Sequence, residues 1–311
     1  MIFTNNINLN GGNRSIMVMA NLADSGNAVA ANVDTATLAG VLSNGSLTVG
    51  DATHAGILIL TNANTYGGGT TINGGSLVLA KQFNPITGSL VSTGSLKSNG
   101  VVTIASGADL DISQTGNQAI GDLSGAGSLH LGSYTLTINQ AGASTFSGVL
   151  ADGGLGGGTG AGIIKNGGGV LTLAGANTYT GHTEISGGGI ILDGSLASAT
   201  IHVSGGTSFS NNSGGLSASA TLTNDGTIEQ NADNIIAALV NTGTINNPAH
   251  TLTAPPTRST AGRSSTPTSA QVRSLPTAPL PSTAPVPPGT SGFRAALPPW
   301  VPPNACSTPP T

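Results

Sequence analysis

Residues 169–192 read GVLTLAGANTYTGHTEISGGGIIL, and residues 56–79 read GILILTNANTYGGGTTINGGSLVL. The two stretches are offset by 113 residues and agree at 13 of 24 positions without a gap. In both copies apolar residues alternate with polar or smaller ones and then give way to glycine or asparagine, which is the signature of half-buried strands bounded by turns. Leu171 and Leu173 are predicted to lie on the inward face. The chain is therefore predicted to be a repetitive all-β protein.

Shorter repeats extend this pattern along the chain. The motif Leu-x-Asn-x-Gly-Thr-Ile occurs at residues 222–228 and again at 239–245, 17 residues later. A single strand of four to six residues buries too little apolar area to be stable, so neighbouring units must stack into one continuous core. At roughly 20–25 residues per coil, about 250 residues predict a parallel β-solenoid of about ten to twelve coils.

The composition changes abruptly near residue 250. Residues 1–250 contain 45 of the 48 glycines and all 12 acidic residues, against only four Lys and Arg. Residues 251–311 contain 15 of the 17 prolines and four arginines, with no acidic residue. Proline cannot donate the backbone hydrogen bonds that pair β-strands, and a segment of this composition buries too little apolar area to fold. We expect solenoid repeats over 1–250 and a disordered Pro/Thr/Ser-rich tail over 251–311.

Two interpretations of the tail are open. One is a Pro-rich stalk that crosses a cell wall. The other is translation in a shifted reading frame, since asparagine is abundant up to Asn247 and afterwards appears only at Asn304, while Trp300 and Cys306 are the only residues of their kinds. The composition favours the shifted frame as a hypothesis.

The charge pattern excludes several classes of function. The formal net charge is −4 and charged residues make up only 6% of the chain, so no basic surface for nucleic acid is expected. No apolar run is long enough for a transmembrane helix. The N-terminal residues show no charged segment followed by an apolar one, so no signal peptide is visible.

Several stretches of the sequence resemble a known protein family. Residues 169–181 and 70–77 closely resemble the autotransporter-associated β-strand repeat of Gram-negative bacteria, and residues 120–129 and 145–150 are more weakly similar to passenger regions of the same proteins. The resemblance implies a right-handed parallel β-helix that is secreted by the type V route. Such a passenger is displayed on the cell surface or released, and it has a structural or adhesive role without catalysis.

The same resemblance implies partners and missing parts. The expected partner is a host or bacterial surface ligand or glycan. A full-length family member is expected to carry a signal peptide and a C-terminal outer-membrane barrel, and neither is visible in this sequence. The chain is therefore interpreted as a passenger fragment.

An enzyme is the alternative function. Some parallel β-helices cleave acidic polysaccharides with clustered carboxylates, and alternation places Asp109 and Asp111 on one face of a strand. A solvated outer face, with Leu110 and Ile112 buried beneath it, is the favoured interpretation. Catalysis would require further carboxylates and basic residues from three adjacent coils, which the sequence cannot show.

Other candidate motifs favour structural roles, and no catalytic, cofactor or metal site is expected. The glycine-rich residues 153–162 lack the lysine and the helix of a phosphate loop, which favours a mobile loop between coils. Tyr66 and Tyr179, equivalent in the two repeats, are expected to cap the core rather than to stack on a ligand. The histidines show no metal-binding spacing and are expected to be solvated; they are His54, His130, His182, His202 and His250.

Overall fold

The computed structural model of the chain describes residues 1–18, 34–84, 86–247 and 249–255. The secondary-structure elements of these described residues are all β-strands, numbered β1 to β32 in chain order. No helix in it is long and apolar enough to cross a bilayer. Most of the predicted disordered tail, residues 256–311, lies outside the described residues.

Three large sheets carry most of the strands. Sheet A comprises β1 (Ile2–Phe3), β4 (Thr35–Leu38), β7 (Ile57–Leu60), β9 (Ser76–Phe83), β10 (Leu90–Thr93), β12 (Asp109–Gln114), β15 (Ser128–His130) and β18 (Val149–Ala151). Sheet B comprises β3 (Asn13–Ile16), β6 (Ser46–Val49), β8 (Thr70–Ile72), β11 (Val102–Ile104), β14 (Leu123–Gly125), β17 (Ser144–Phe146), β20 (Val170–Leu173), β23 (Gly189–Leu192), β26 (Ser208–Asn211), β28 (Thr227–Gln230) and β31 (Thr244–Asn246). Sheet C comprises β13 (Gln118–Ile120), β16 (Thr135–Asn139), β19 (Gly162–Asn166), β22 (His182–Ile185), β25 (Thr200–Val203), β27 (Thr221–Asn224) and β30 (Ala238–Asn241).

Three two-stranded sheets complete the coils. They are β2 (Ile7–Asn8) with β5 (Leu42–Ser43), β21 (Ala176–Asn177) with β24 (Ser195–Leu196), and β29 (Asn234–Ile235) with β32 (Leu252–Thr253). In the middle of the chain each coil passes through sheets A, C and B in that order, as β15, β16 and β17 do. Along the chain β2 and β5 therefore take the place of sheet C, and β21, β24, β29 and β32 take the place of sheet A.

Strand pairing is parallel throughout, except that β10 folds back antiparallel on β9. In sheet B, Leu171 pairs with Ile190 and Ile190 with Phe209, so each coil adds 19 residues there. These three side chains are at most 1% exposed and form an apolar ladder inside the coil. The predicted parallel β-solenoid is confirmed, as is the inward face of Leu171 and Leu173. The eleven strands of sheet B correspond to about ten turns.

The two sequence copies occupy different faces of the solenoid. The first copy begins with β7 in sheet A, continues through β8 in sheet B and ends in β9 of sheet A. The second begins with β20 in sheet B, continues through β22 in sheet C and ends in β23 of sheet B. Equivalent residues such as Leu58 and Leu171 are both fully buried. The repeat therefore specifies a coil and its corner, whichever face it begins on.

An Asn–Tyr corner is common to both copies. Asn64 Oδ1 accepts the Leu42 N–H at 2.9 Å from the preceding coil, and its Nδ2 donates to the Ser95 carbonyl at 3.0 Å in the following one. The Tyr66 ring is buried, and its hydroxyl lies 2.7 Å from the Thr70 hydroxyl. The side-chain amide thus connects three successive coils, while the ring fills the core behind it.

The second copy repeats this corner with different neighbours. Asn177 Oδ1 accepts the Leu150 N–H at 3.2 Å, and its Nδ2 donates to the Ser195 carbonyl at 3.1 Å. The Tyr179 hydroxyl lies 2.6 Å from that of Thr183. The prediction that both tyrosines have a structural role is confirmed, because buried rings cannot stack on a ligand.

The solenoid continues slightly past residue 250. Strands β29 and β32 pair in parallel, and the N–H of Ile236 donates to the Thr253 carbonyl at 2.9 Å. The expectation that the chain forms no ladder from Thr251 onward is therefore wrong for its first residues. The reason is local, since the prolines of the tail begin only at Pro255.

Candidate functional site

Two strands of sheet A bring Asp109, Asp111 and His130 together. Asp109 and Asp111 lie on β12, whose alternate residues Leu110 and Ile112 are buried in the core. His130 lies on β15, directly beside Asp111 in the parallel register. The predicted placement of both carboxylates on one outward face is confirmed, and the next coil adds the histidine.

Asp111 is nevertheless buried. It is 1% exposed, its Oδ1 accepts the Ser113 N–H at 2.7 Å, and its Oδ2 accepts the Leu155 N–H at 2.6 Å. The prediction of a solvated outer face is wrong for Asp111, because the glycine-rich segment after β18 folds over it. Its Oδ2 therefore positions that segment, whereas its Oδ1 is committed to the backbone of its own strand.

Of the glycine-rich residues 153–162, all but Gly162, the first residue of β19, lie in a loop that follows β18 and is hydrogen-bonded to the solenoid. Besides the bond from Leu155, the Gly156 N–H donates to Ser113 Oγ at 2.7 Å, and the Ala161 N–H donates to Asp152 at 2.9 Å. Gly154 has a φ of +96°, and a Cβ there would lie 2.7 Å from the Asp111 carboxylate. Glycine is therefore required at 154 for both backbone conformation and close approach.

Asp109 and His130 form a looser pair beside this loop. His130 Nε2 lies 3.3 Å from Asp109 Oδ1, an ion-pair distance without the alignment of a hydrogen bond. Burial raises the pKa of Asp109 to about 6, an effect that His130 opposes and that the charge of Asp111 increases. Asp109 is thus a carboxyl group that changes protonation state in mildly acidic solution.

A cavity of about 260 Å³ lies over these side chains. It is walled by Ile57 and Ser76 from the preceding coils and by Leu155 from the loop. Asp109 Oδ1 and His130 Nδ1 are both inaccessible to solvent and have no hydrogen-bond partner among the described residues. These two atoms are closed off from the cavity, whose lining includes the apolar side chains of Ile57 and Leu155.

This site falls short of the arrangement that the enzyme alternative requires. No Lys or Arg is among its lining residues, and one of its two carboxylates is committed to backbone N–H groups. Across the described ranges, no group of three or more His, Cys, Asp or Glu side chains is arranged to hold a metal ion. The site is a small cavity beside a carboxylate that is hydrogen-bonded to the backbone.

Most of the other histidines also lie beside carboxylates. His202 joins two of them, with Nδ1 at 2.8 Å from Glu184 and Nε2 at 3.0 Å from Asp225. The histidines were predicted only as solvated residues, and these pairings were missed because the partners of His202 lie 18 and 23 residues away. Similar pairs are His54 with Asp51 at 2.7 Å and His250 with Asp233 at 3.6 Å.

A buried lysine was also missed. Lys165 is fully buried and occupies the inward position of sheet C that Ile138 and Ile185 occupy in the adjacent coils. Its Nζ donates to the carbonyls of Asn166, Gly167 and Gly187 at 2.9–3.1 Å. Burial lowers its pKa to about 8. Lys165 follows Ile163 by two residues, so strand alternation places both on the same inward face. This spacing could have predicted that Lys165 is buried.

Comparison with known proteins identifies the repeats. The family model described as the passenger-associated-transport-repeat matches residues 53–79 and 163–192. These ranges contain both copies of the 24-residue repeat. These two segments of the chain are similar to that passenger repeat. We call the described residues up to 255, which contain both matched segments, the passenger solenoid.

A curated relative agrees with the family match. Over 147 residues the chain is 34% identical to "Adhesin BmaC autotransporter" of Brucella suis biovar 1 (strain 1330). The match covers 46% of this chain and 4% of the length of that protein. No solved structure matches the chain significantly.

Proposed function

We propose that the passenger solenoid is a structural or adhesive element that a bacterium displays on its surface or releases. One observation carries this proposal: both copies of the passenger repeat are built into a single continuous parallel solenoid. The similarity to an autotransporter adhesin supports the adhesive role. The partner is a host or bacterial surface ligand or glycan.

The architecture suits this role physically. Each coil adds about 4.8 Å along the axis, so about ten coils extend roughly 50 Å. Parallel strands place outward side chains in rows along each sheet. Such a rod holds a binding surface away from its point of attachment and repeats similar surface features at coil spacing.

Adhesion can be tested with the purified chain coupled to beads. We expect these beads to bind host-cell or bacterial surfaces saturably, and we expect soluble chain to compete with them. Beads that carry heat-denatured chain are the control. Binding to every tested surface at the level of this control would contradict the adhesive proposal and leave a purely structural role.

Surface display has its own test. Intact cells that produce the complete protein are treated with protease, and the passenger solenoid is detected with an antibody. We expect it to be cleaved or released without lysis of the cells. Full protection in intact cells, with cleavage only after lysis, would contradict display outside the cell.

We also propose that the chain has no catalytic activity, because Asp111 is committed to two backbone N–H groups and neither Lys nor Arg lines the cavity. Polygalacturonate and related glycans should be neither cleaved nor depolymerised by the purified chain. Turnover that is lost in Asp109→Asn or Asp111→Asn, but kept in His182→Gln, would overturn this proposal.

A further inference from the structure

We propose that the β9–β10 hairpin docks on a lipid surface with anionic headgroups, into which its apolar side chains insert. The hairpin comprises residues 81–84 and 86–93 of the described chain, and beyond Ala80 strand β9 pairs with β10 alone. This inference rests on the proposed adhesive function and names a partner for it.

The two faces of the hairpin differ in chemistry. On one face Gln82 and Ser92 pair across the strands and both bond to Thr61 of the preceding coil: the Thr61 hydroxyl donates to Gln82 Oε1 at 3.2 Å, and Ser92 Oγ donates to the Thr61 carbonyl at 2.5 Å. The other face carries Phe83 and Leu90, which pair directly and are 54% and 53% exposed. The polar face therefore holds the hairpin on the solenoid, and the apolar face is turned to solvent.

The turn of the hairpin is ordered and also apolar. Asn84 Oδ1 accepts the N–H groups of Ile86 at 2.8 Å and Thr87 at 3.1 Å, and the Asn84 N–H donates to the Ser89 carbonyl at 2.8 Å. Ile86 is 91% exposed, more than any other large apolar side chain among the described residues. Exposed apolar clusters mark interaction surfaces, and a turn that is already ordered loses little freedom on binding.

The charges around the hairpin favour an anionic partner. Residues 52–108 contain Lys81 and Lys97 but no acidic residue, although residues 1–250 contain 12 acidic residues against four Lys and Arg. Lys81 Nζ lies 6.0 Å from the centre of the Tyr134 ring, and none of the described carboxylates forms an ion pair with it. The positive charge of Lys81 is therefore available to an external anion.

The spacing along β9 matches the depth of a membrane interface. Lys81 precedes Phe83 by two residues, so both lie on the same face, about 7 Å apart along the strand. Apolar side chains at a bilayer interface reach about 5–10 Å into the boundary between headgroups and acyl chains. Insertion of Phe83 and Leu90 would therefore bring Lys81 to the level of the headgroups.

A lipid surface suits the hairpin better than a second copy of the chain does. A bilayer interface can receive all of its exposed apolar side chains without a matching cavity; they are Phe83, Ile86, Leu90 and Val91. Contact between the same faces of two hairpins would instead bring their Lys81 side chains together, and like charges repel.

The test measures co-flotation of the purified chain with vesicles of phosphatidylcholine alone and of phosphatidylcholine and phosphatidylserine in equal parts. Ile86→Ser and Leu90→Ser each remove apolar carbons from the hairpin, and Lys81→Gln removes its charge. Ile235→Ser is the matched control, because Ile235 is 64% exposed and lies on β29, far from the hairpin in the chain. Far-UV circular dichroism and the unfolding midpoint establish that each variant is folded.

We expect the wild-type chain to bind the anionic vesicles more tightly than the neutral ones. Affinity for the anionic vesicles should fall about tenfold or more in Ile86→Ser and in Leu90→Ser, because fewer apolar carbons enter the bilayer. It should fall severalfold in Lys81→Gln and should be unchanged in Ile235→Ser.

Binding that all three hairpin variants retain would assign it to another part of the chain, such as the four arginines after residue 255, and would overturn the hairpin site. Equal binding to neutral and anionic vesicles would overturn the charge argument. Dimerisation without vesicle binding, measured by sedimentation velocity and lost in Ile86→Ser, would assign the hairpin to a second copy instead. Absence of vesicle binding, together with saturable bead adhesion, would overturn the lipid proposal and leave the adhesive function standing.

Discussion

The two passenger repeats have the same local structure on different faces of the solenoid. The first copy opens on sheet A at β7, and the second opens on sheet B at β20. Both bury the same alternate leucines and both build the Asn–Tyr corner with the same Tyr–Thr hydroxyl pair. The repeat therefore encodes an inward ladder and a corner, while the face on which it begins depends on the lengths of the intervening coils.

The largest expected effect tests whether the two apolar ladders are equivalent. Leu58→Ala and Leu171→Ala each remove a fully buried side chain, so each should lower the free energy of unfolding by about 2–5 kcal/mol. Urea unfolding followed by circular dichroism measures both. Thr172→Ala, at an outward position of β20, is the matched control. A large effect at one leucine and none at the other would mean that the faces are not equivalent.

The next effect concerns the asparagine that connects three coils. Asn64→Ala and Asn177→Ala each remove hydrogen bonds to the coils on both sides. At about 0.5–1.5 kcal/mol per bond, each variant should lose roughly 2–3 kcal/mol of stability. Asn73→Ala, at an exposed position without a side-chain hydrogen bond among the described residues, provides the control in the same urea assay. A loss confined to one copy would restrict the corner to that face.

A smaller effect is expected for the tyrosine hydroxyl groups. Tyr66→Phe and Tyr179→Phe keep the buried rings and remove one hydroxyl pair each, for a loss of about 1 kcal/mol. Burial raises the pKa of Tyr66 to about 12 and also raises that of Tyr179. Absorbance titration of the wild-type chain should therefore show two tyrosines that resist ionisation at pH 11. Normal ionisation of both would contradict burial of the corner.

The smallest expected effect is on the pH dependence of stability, and it distinguishes the two copies. His202 pairs with Glu184 of the second copy, whereas the equivalent residue of the first copy is Thr71. The hydrogen bond to Asp225, followed by the contacts with Glu184, raises the pKa of His202 above its ordinary value of 6.5 despite partial burial. A raised folded-state pKa stabilises the fold below pH 6.5, and this stabilisation is lost as the pH rises through the folded value.

The stability of the wild-type chain and of His202→Gln is compared between pH 5 and pH 9 by thermal unfolding. The wild-type chain should have the higher midpoint at low pH, and the difference should shrink as the pH rises. His182→Gln controls for loss of a histidine from the same sheet. A difference that grows with pH would contradict the assigned pairing.

The sequence predicts local structure much better than it predicts contacts between coils. Alternation identified Leu171 and Leu173, and the 17-residue spacing of the Leu-x-Asn-x-Gly-Thr-Ile motif equals the step from Leu222 to Leu239 in sheet C. Both signals lie within one or two coils. The all-β solenoid could therefore be predicted from the sequence.

The faces and the cavity could not be predicted. The step from Leu77 to Leu110 is 33 residues because the β9–β10 hairpin is inserted there, whereas the next step to Leu129 is 19. Asp111 is covered by Leu155, which follows it by 44 residues. The length of a loop does not reveal which earlier strand the strand after it will pair with. Contacts between coils therefore leave no local signal in the sequence.

The difference in face between the two repeats is tested most directly by disulfide formation. In the chain with Cys306→Ser, Thr172→Cys is paired either with Thr145→Cys, its register partner in sheet B, or with Ala151→Cys in sheet A. Neighbouring parallel strands lie about 4.8 Å apart, within the Cα range for a disulfide. Mild oxidation should cross-link 172 with 145 rapidly and should leave 172 and 151 as free thiols. Preferential cross-linking of 172 with 151 would place the second copy on sheet A like the first, and would contradict the change of face.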